Sequence, residues 1–301
     1  MLSTTHREVA VTFDDVPQYF GQAVVSGLSD MHRKLLGKLV SNNVPAVGFV
    51  NEGFSSAEES EGCVADILRM WLDAGFELGN HTYSHLYFYE TALPLYQQDV
   101  IRGEAISSAL LSGQGMRLRY FRYPYLSTGP DLATKAAFEQ FLAARRYQVA
   151  PVTIDSMEWL FAGVYSQAMA DGDQATMRLV ADAYVPYMEE VFEFYERLSA
   201  DVIGREMPQT LMLHATWLNA DCFDHLSAMI EGRGYRFITL EQALRHAAYR
   251  SADSYIGPVG ISWLQRWALT KGGRFRKEPG LPRFMKQFDD CRESGSHYKT
   301  V

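Results

Sequence analysis

Short runs of β-branched and aromatic residues alternate along this chain with longer stretches in which apolar residues recur every three or four positions. The short runs predict strands and the longer stretches predict amphipathic helices. The predicted strands lie at about residues 9–13, 46–50, 76–79, 120–123, 149–154, 211–213 and 236–239. Strands that alternate with helices indicate βαβ units and therefore a parallel sheet, either doubly wound or closed into a barrel.

Two segments depart from this alternation. Residues 161–208 carry only a helical pattern, and Pro186 suits the first turn of a helix in which Met188 and Val191 share a face. From residue 256 onward the chain is first aromatic and then basic and rich in glycine and proline. We therefore predict one elaborated domain over residues 1–255 with a helical insertion at about 161–208, and a C-terminal extension over 256–301 packed on it.

The amino-acid composition limits which partners and which compartments are expected for this protein. The 301 residues include 28 Lys and Arg against 36 Asp and Glu, a formal net charge of −8, which argues against nucleic acid as a partner. No run of about 18 apolar residues is present, so no membrane span is expected. A strand-like run begins near residue 9 without a secretory signal before it. The expected compartment is the cytoplasm if the chain is complete, and the periplasm or the exterior if a signal peptide was removed.

Ionisable or metal-binding residues follow five of the seven predicted strands. Because the carboxyl ends of parallel strands meet at one edge, where α/β folds place their active sites, these residues predict one shared site. In strand order they are Asp14 and Asp15, then His81 and His85, then Arg122 and Tyr125, then Asp155, and finally His214.

The residue types in this set suit a catalytic metal centre. Adjacent carboxylates in an extended chain point to opposite sides, so one of Asp14 and Asp15 can bind a metal while the other handles a proton. His81 and His85 are four residues apart and can reach one cation if the loop coils. Two histidines and one aspartate leave coordination positions for water and substrate. Each pair also has a simpler interpretation when it is considered alone. The two aspartates can belong to a polar loop or cap a helix, and the spacing of the two histidines can be incidental.

Three further residues have plausible roles beside such a centre. Arg122 at a strand end is expected to pair with a carboxylate, although a surface ion pair is the simpler alternative. His214 follows an apolar run, and a structural core histidine is the alternative to a catalytic one. Asp155 is the natural partner to orient a histidine and raise its basicity. Trp159, Trp217, Trp263 and Trp267 suit either a sugar platform or core packing.

Together these residues resemble the polysaccharide deacetylases with the NodB homology domain, carbohydrate esterase family 4. Three motifs of that family are intact and in family order, and two more are present with one substitution each. The motifs stand here as Thr12-Phe13-Asp14-Asp15, His81-Thr82-Tyr83-Ser84-His85, Arg122-Tyr123-Pro124-Tyr125, Asp155-Ser156-Met157-Glu158-Trp159 and Met212-Leu213-His214. Glu158 stands where the family usually has Asp, and Met212 stands where it usually has Leu.

The resemblance implies an α/β fold, a distorted (β/α) barrel of about seven or eight strands. It implies a divalent metal ion held by Asp15, His81 and His85, with zinc first and cobalt, nickel or manganese as alternatives. It further implies Asp14 as general base held by Arg122, and His214 as general acid oriented by Asp155. The backbone N–H of Tyr125 would then stabilise the oxyanion together with the metal.

The resulting functional prediction is a metal-dependent hydrolase that removes acetyl groups from an acetylated carbohydrate, through either an amide or an ester. Two alternatives remain open at this point. One is a hydrolase of a small non-sugar amide on the same scaffold, and the other is a catalytically silent glycan-binding protein.

Overall fold

The computed structural model describes residues 7–18, 27–53, 61–113 and 115–285. Within them, seven parallel strands form one sheet. They are β1 (Arg7–Val16), β2 (Ala46–Val50), β3 (Glu77–Asn80), β4 (Tyr120–Phe121), β5 (Gln148–Val149), β6 (Gln209–His214) and β7 (Tyr235–Phe237). The α/β fold predicted from the sequence is confirmed.

Helices connect and cover the strands of this sheet. In chain order they are α1 (Leu28–Ser41), α2 (Glu61–Asp73), α3 (Leu93–Arg102), α4 (Ala105–Ser112), α5 (Leu132–Ala144), α6 (Glu158–Ala170), α7 (Gln174–Ile203), α8 (Trp217–Gly232), α9 (Leu240–Leu244) and α10 (Trp263–Thr270). None of those in the described part of the chain has the length and apolar character needed to cross a membrane.

The sheet curves back on itself through the segment that follows β5. The strand order is β5-β4-β3-β2-β1-β6, and β7 pairs with the first residues of β1. Beyond β5, the N–H of Thr153 donates to Thr210 at 3.0 Å and the N–H of Met212 donates to Ile154 at 3.2 Å. One segment therefore pairs with β4 at its start and with β6 at its end, so the sheet forms a distorted barrel.

Side chains alternate across β1 between the helical layer and the barrel interior. Val9, Val11 and Phe13 belong to the main core beneath the helices. Ala10 belongs to a smaller cluster with Val47 and Phe49 of β2, Tyr120 of β4 and Ala150 at the end of β5. Because successive side chains on a strand point to opposite faces, Thr12 and Asp14 lie on the same face as Ala10. The sequence pattern of β1 therefore places Asp14 at the mouth of the barrel.

All seven predicted strands are present, but β4 and β5 are shorter than the sequence pattern suggests. The run predicted at 149–154 forms a strand only at Gln148–Val149. The N–H groups of Gln148 and Ala150 donate to the carbonyl oxygens of Arg119 and Phe121 on the β4 side, and the carbonyl oxygen of Pro151 already accepts the Thr210 hydroxyl on the β6 side. The remaining residues of the run instead pair with β6.

The helical segment begins earlier and is more continuous than predicted. α6 starts at Glu158 rather than near residue 161. Pro186 lies inside the 30-residue helix α7, so the prediction that it opens a helix is wrong. Tyr184, before the proline, is buried, and Met188 after it is buried as well. Packing on both sides of the proline outweighs the hydrogen bond that it cannot make.

The C-terminal extension contributes α10 to the core. Trp263 and Trp267 on α10 are buried, so these two indoles are core residues and not an exposed sugar platform. Trp159 and Trp217 are half-buried. Residues 286–301 of the predicted extension lie outside the described residues.

Candidate active site

Three of the predicted residues form a group that can hold a metal ion. One ligand atom from each of Asp15, His81 and His85 lies within 4.8 Å of the other two. Nε2 of His81 lies 3.5 Å from Oδ1 of Asp15, and Nε2 of His85 lies 3.4 Å from the same oxygen. A carboxylate and two imidazoles are the donor set of catalytic zinc sites, which keep further coordination positions open. The chemistry of these three side chains therefore fits a divalent cation.

The protonation states of the two histidines suit ligation. Burial, and then the neighbouring His85, hold the pKa of His81 well below its usual range. Burial, and then the charge of His214, lower the pKa of His85 to about 3. Nδ1 of His81 lies 2.8 Å from the carbonyl oxygen of Arg122 and donates its proton there, which leaves the lone pair on Nε2 facing Asp15. Both rings are therefore neutral near pH 7 and able to bind a cation.

The loop that carries both histidines is fixed by polar side chains from neighbouring elements. The side-chain oxygen of Asn80 accepts the N–H of Thr82 at 2.8 Å, and the Asp99 carboxylate accepts the N–H of Ser84 at 2.9 Å. Asn51 donates to the carbonyl oxygen of His81. These bonds coil the loop and bring residues four apart to the same cation site.

Backbone strain is concentrated at this site. Five of the seven non-glycine residues with positive φ in the described chain lie in its segments: Asp15, Thr82, His85, Tyr125 and Leu126. Non-glycine residues rarely adopt this conformation, and those that do cluster where function requires a fixed geometry.

Asp14 lies between His81 and Arg122. Its Oδ2 atom is 3.7 Å from Nη1 of Arg122 and 3.8 Å from Nε2 of His81. Arg122 is fully buried, donates from Nη2 to the Thr12 hydroxyl at 2.9 Å, and lies over the ring of Phe49 at 4.6 Å. The expectation that Arg122 pairs with a carboxylate at the strand end agrees with this geometry.

Burial and charge act in opposite directions on Asp14. Burial raises the pKa of this carboxyl above its ordinary value, whereas the charges of Arg122 and His214 oppose the increase. A carboxylate with a raised pKa accepts a proton more readily than an ordinary aspartate. Asp14 therefore has the electrostatic character of a general base whose protonation state depends on Arg122.

The partner of His214 differs from the prediction. Nδ1 of His214 lies 2.8 Å from Oε2 of Glu158, whereas Asp155 is the carboxylate that the motifs lead one to expect there. Glu158 is the first residue of α6, and its other oxygen accepts from the Asn219 amide at 2.6 Å. The same amide also donates to the carbonyl oxygen of His214 at 2.9 Å.

This arrangement determines the charge on the imidazole. Burial alone would lower the pKa of His214, but the hydrogen bond and charge of Glu158, with smaller contributions from Asp15 and Asp14, raise it to about 9. His214 is therefore protonated at neutral pH and able to donate a proton from Nε2.

Asp155 faces a different set of groups. It accepts the backbone N–H of Ser156 at 2.8 Å. Burial, and then the charge of Glu278 from the C-terminal segment, raise the pKa of Asp155 to about 7, against the opposing charges of His214 and Arg122. Nδ1 of His214 is reached instead by Glu158, from the start of α6.

Asp14 and His214 occupy neighbouring strands. The register of β1 and β6 pairs Asp14 directly with His214. Adjacent parallel strands are about 4.8 Å apart, so the candidate base and the candidate acid lie at the same height on one edge of the sheet.

Tyr125 lies beside the metal-binding group on a tight turn. The turn spans Pro124–Leu126, and Tyr125 has φ 55° and ψ 15°. Its ring contacts the imidazole of His85 with centroids 4.4 Å apart. Burial, and then the charge of Asp15, raise the pKa of the Tyr125 hydroxyl.

Sequence reasoning missed two members of the site. Glu158 was visible as the altered position of the fourth motif, but its contact with His214 was not predicted. The other member, Asn219, lies in the first turn of α8. In the sequence, a threonine three residues before it indicates only the start of a helix. The structure shows this cap, in which the Thr216 hydroxyl accepts the N–H of Asn219 at 3.3 Å. Its role in holding Glu158 becomes visible only when α8 packs against α6.

Comparisons with known proteins agree with the resemblance. Residues 2–141 match the family model described as polysaccharide deacetylase. A peptidoglycan-N-acetylglucosamine deacetylase of Bacillus cereus is 23% identical over 239 residues, which span 77% of this chain and 66% of that protein. The chain thus spans just under two thirds of the length of this relative.

Solved structures show the same fold. The polysaccharide deacetylase Bc1974 from Bacillus cereus superposes with a TM-score of 0.52 at 14% identity, over 77% of this chain and 91% of that one. The peptidoglycan deacetylase PdaC from Bacillus subtilis has a TM-score of 0.50 at 18% identity, over 82% of this chain and 94% of that one. The barrel predicted from the motifs is confirmed by these similarities.

Proposed function

We propose that this protein, whose residues 2–141 match the polysaccharide deacetylase family model, is a metal-dependent hydrolase that removes acetyl groups from an acetylated carbohydrate. The observation that carries this proposal is the meeting of Asp15, His81 and His85 next to the pair Asp14 and His214. A metal group, a carboxylate with a raised pKa and a protonated imidazole are what hydrolysis of an acyl group requires.

Asp15, His81 and His85 would hold the metal. Two imidazole nitrogens and one carboxylate oxygen favour zinc, and cobalt, nickel or manganese fit the same donors less specifically. A divalent cation at this position would lower the pKa of a water molecule and polarise the acetyl carbonyl.

Asp14 would accept the proton of the attacking water. Its Oδ2 atom lies 3.8 Å from Nε2 of His81, next to the metal-binding group. Arg122, 3.7 Å away, would keep the carboxyl ionised at neutral pH although burial raises its pKa. Because Arg122 also donates to Thr12, the guanidinium cannot rotate away without losing a buried hydrogen bond.

His214 would donate the proton that the leaving group needs. Glu158 raises the pKa of this imidazole and fixes its Nδ1, so Nε2 carries the proton to be transferred. An amine or alkoxide departs only when it is protonated, and a positioned acid typically contributes on the order of 100- to 10,000-fold to the rate. Glu158 thus takes the supporting role that the sequence assigned to Asp155.

The backbone N–H of Tyr125 would stabilise the oxyanion that develops on the carbonyl oxygen. The strained turn at Pro124–Leu126 places this residue against His85. Loss of one such donor typically costs on the order of 100- to 1,000-fold in rate, because the charge appears only in the transition state.

An acetate-release assay tests the proposal. The full chain is stripped with a chelator and reloaded separately with zinc, cobalt, nickel or manganese. Each form is then assayed on chito-oligosaccharides, peptidoglycan fragments, acetylated xylan and small N-acetyl amides. We expect no acetate from the stripped protein and metal-restored release from at least one acetylated glycan. Activity that survives complete metal removal overturns the mechanism.

The panel also separates the alternatives. Preference for chito-oligosaccharides or peptidoglycan fragments indicates an amide substrate, and preference for xylan indicates an ester. Release only from small amides favours the non-sugar alternative, and saturable glycan binding without acetate release under any metal favours a silent glycan-binding protein. The Asp14→Asn variant is the matched control, because it should bind the metal and release no acetate.

A further inference from the structure

The turn that carries Tyr125 needs support from outside itself. Tyr125 and Leu126 are consecutive non-glycine residues with φ of 55° and 53°. Within the turn, the N–H of Leu126 donates to Tyr123 at 3.1 Å and the N–H of Ser127 donates to Pro124 at 3.0 Å. A backbone held in this region persists only where its surroundings fix it.

Arg266 on α10 supplies that support from far along the chain. Its Nη1 atom donates to the carbonyl oxygen of Leu126 at 3.2 Å, and its Nη2 atom donates to the Thr128 hydroxyl at 2.7 Å. Both contacts join residues about 140 positions apart. Arg266 is fully buried, so both bonds are shielded from water.

The half-buried carboxylate of Asp253 holds Arg266 in place. Asp253 accepts from Nε of Arg266 at 2.9 Å and from Nζ of Lys135 on α5 at 2.6 Å. Burial alone would raise the pKa of Asp253, but the two cations lower it below its ordinary value. A planar guanidinium bonded on one side to a carboxylate and on the other to a turn has little freedom to move.

Gly260 of the C-terminal segment also contacts this turn, through its backbone. A Cβ atom added at this residue would lie 1.8 Å from the carbonyl oxygen of Tyr125 and 2.7 Å from the carbonyl carbon of Leu126. The C-terminal segment therefore packs its backbone directly on the turn, and only glycine permits this distance.

We propose that Arg266 and Gly260 are positioning residues, which hold the turn so that the N–H of Tyr125 remains directed at the developing oxyanion. This inference rests on the proposed function. It gives the C-terminal segment a part in the reaction although none of its residues needs to touch the substrate. The Asp253 carboxylate and Lys135 serve the same end by fixing the guanidinium.

The sharpest test is Gly260→Ala, which displaces the turn and leaves every charged group in place. We expect kcat to fall by about 100-fold, since a displacement of about 1 Å at a reacting group costs this much. KM and the affinity for cobalt, followed by its absorption spectrum, should stay within about twofold of wild type, because the bonds that fix the loop of His81 and His85 are unchanged. Gly280→Ala is the matched control, because no heavy atom lies within 4 Å of the added Cβ.

A second variant covers the case in which Gly260→Ala fails to fold. Thr128→Val removes one acceptor of Arg266 and preserves the side-chain volume, and we expect kcat to fall about tenfold with KM and cobalt affinity unchanged. A folded, cobalt-binding variant with wild-type kcat overturns the inference. A wild-type protein that releases no acetate under any metal instead overturns the proposed function, so the two failures are distinguishable.

Discussion

The imidazole of His214 and the carboxylate of Glu158 are joined by a 2.8 Å hydrogen bond between Nδ1 and Oε2. Both residues are buried, and the Asn219 amide donates to the second carboxylate oxygen. If one partner were removed, the other would be left in the interior without its hydrogen bond, which destabilises the fold. This bond is the main reason that His214 carries a proton at neutral pH despite its burial.

Glu158→Gln should therefore shift the pH profile. The folded pKa of His214 is raised to about 9, so the imidazolium acid is present below that pH and is lost as the pH rises through it. Loss of a charge-assisted bond should lower this pKa, and move the alkaline limb of kcat/KM down by about one to two pH units. The pH dependence of acetate release measures the shift. If Asp155→Asn moves the limb further than Glu158→Gln, the assignment of Glu158 is wrong.

His85→Ala should lower the affinity for a divalent cation. The substitution removes one of three donors, and we expect the dissociation constant of zinc to rise on the order of 100-fold or more. Titration calorimetry measures it, and circular dichroism verifies that the variant is folded. His225→Ala on α8 is the matched control, because His225 is exposed. Unchanged zinc affinity in His85→Ala would contradict the proposed ligand set.

Arg122→Met should impair the base. Without the guanidinium, burial raises the pKa of Asp14 further, so the carboxylate base is lost at a higher pH than in the wild type. We expect the acid limb of kcat/KM to move up by about one pH unit or more. Arg119→Met, at a partly exposed arginine paired with Glu77 and Glu241, is the control. An acid limb that stays in place would show that Arg122 does not tune Asp14.

Pro186→Ala should stabilise the fold. An alanine restores the missing N–H within α7 and relieves the clash of the proline ring, which together are worth about 1–3 kcal/mol. Urea unfolding should show a larger free energy of unfolding with an unchanged m-value. A lower free energy of unfolding would mean that α7 is adapted to the ring of Pro186.

The sequence was sufficient to predict those parts of the molecule that depend on local pattern. Strand positions follow from apolar runs, and the convergence of Asp15, His81 and His85 follows from their place at the carboxyl ends of strands. Residues that meet through helix packing were not predictable in this way. Glu158 was assigned no partner because the start of α6 was placed too late.

The contact between Arg266 and the Tyr125 turn is a clearer case. The two segments are about 140 residues apart, and nothing in either one indicates the other. The neighbours of Arg266 in the sequence, Gln265 and Trp267, are buried as well, so no contrast in local pattern marks Arg266. Its hydrogen-bond partners can be identified only from the folded structure. Likewise, the need for glycine at position 260 arises from the approach of another backbone and not from a turn of its own.

The pairing of Asp14 with His214 across β1 and β6 has a consequence for how this scaffold diversifies. The spacing of these two groups is maintained by the hydrogen bonds of the sheet, which insertions elsewhere leave unchanged. Surface loops can therefore lengthen or shorten without changing the separation of this carboxylate and this imidazole, which depends on the register of β1 and β6.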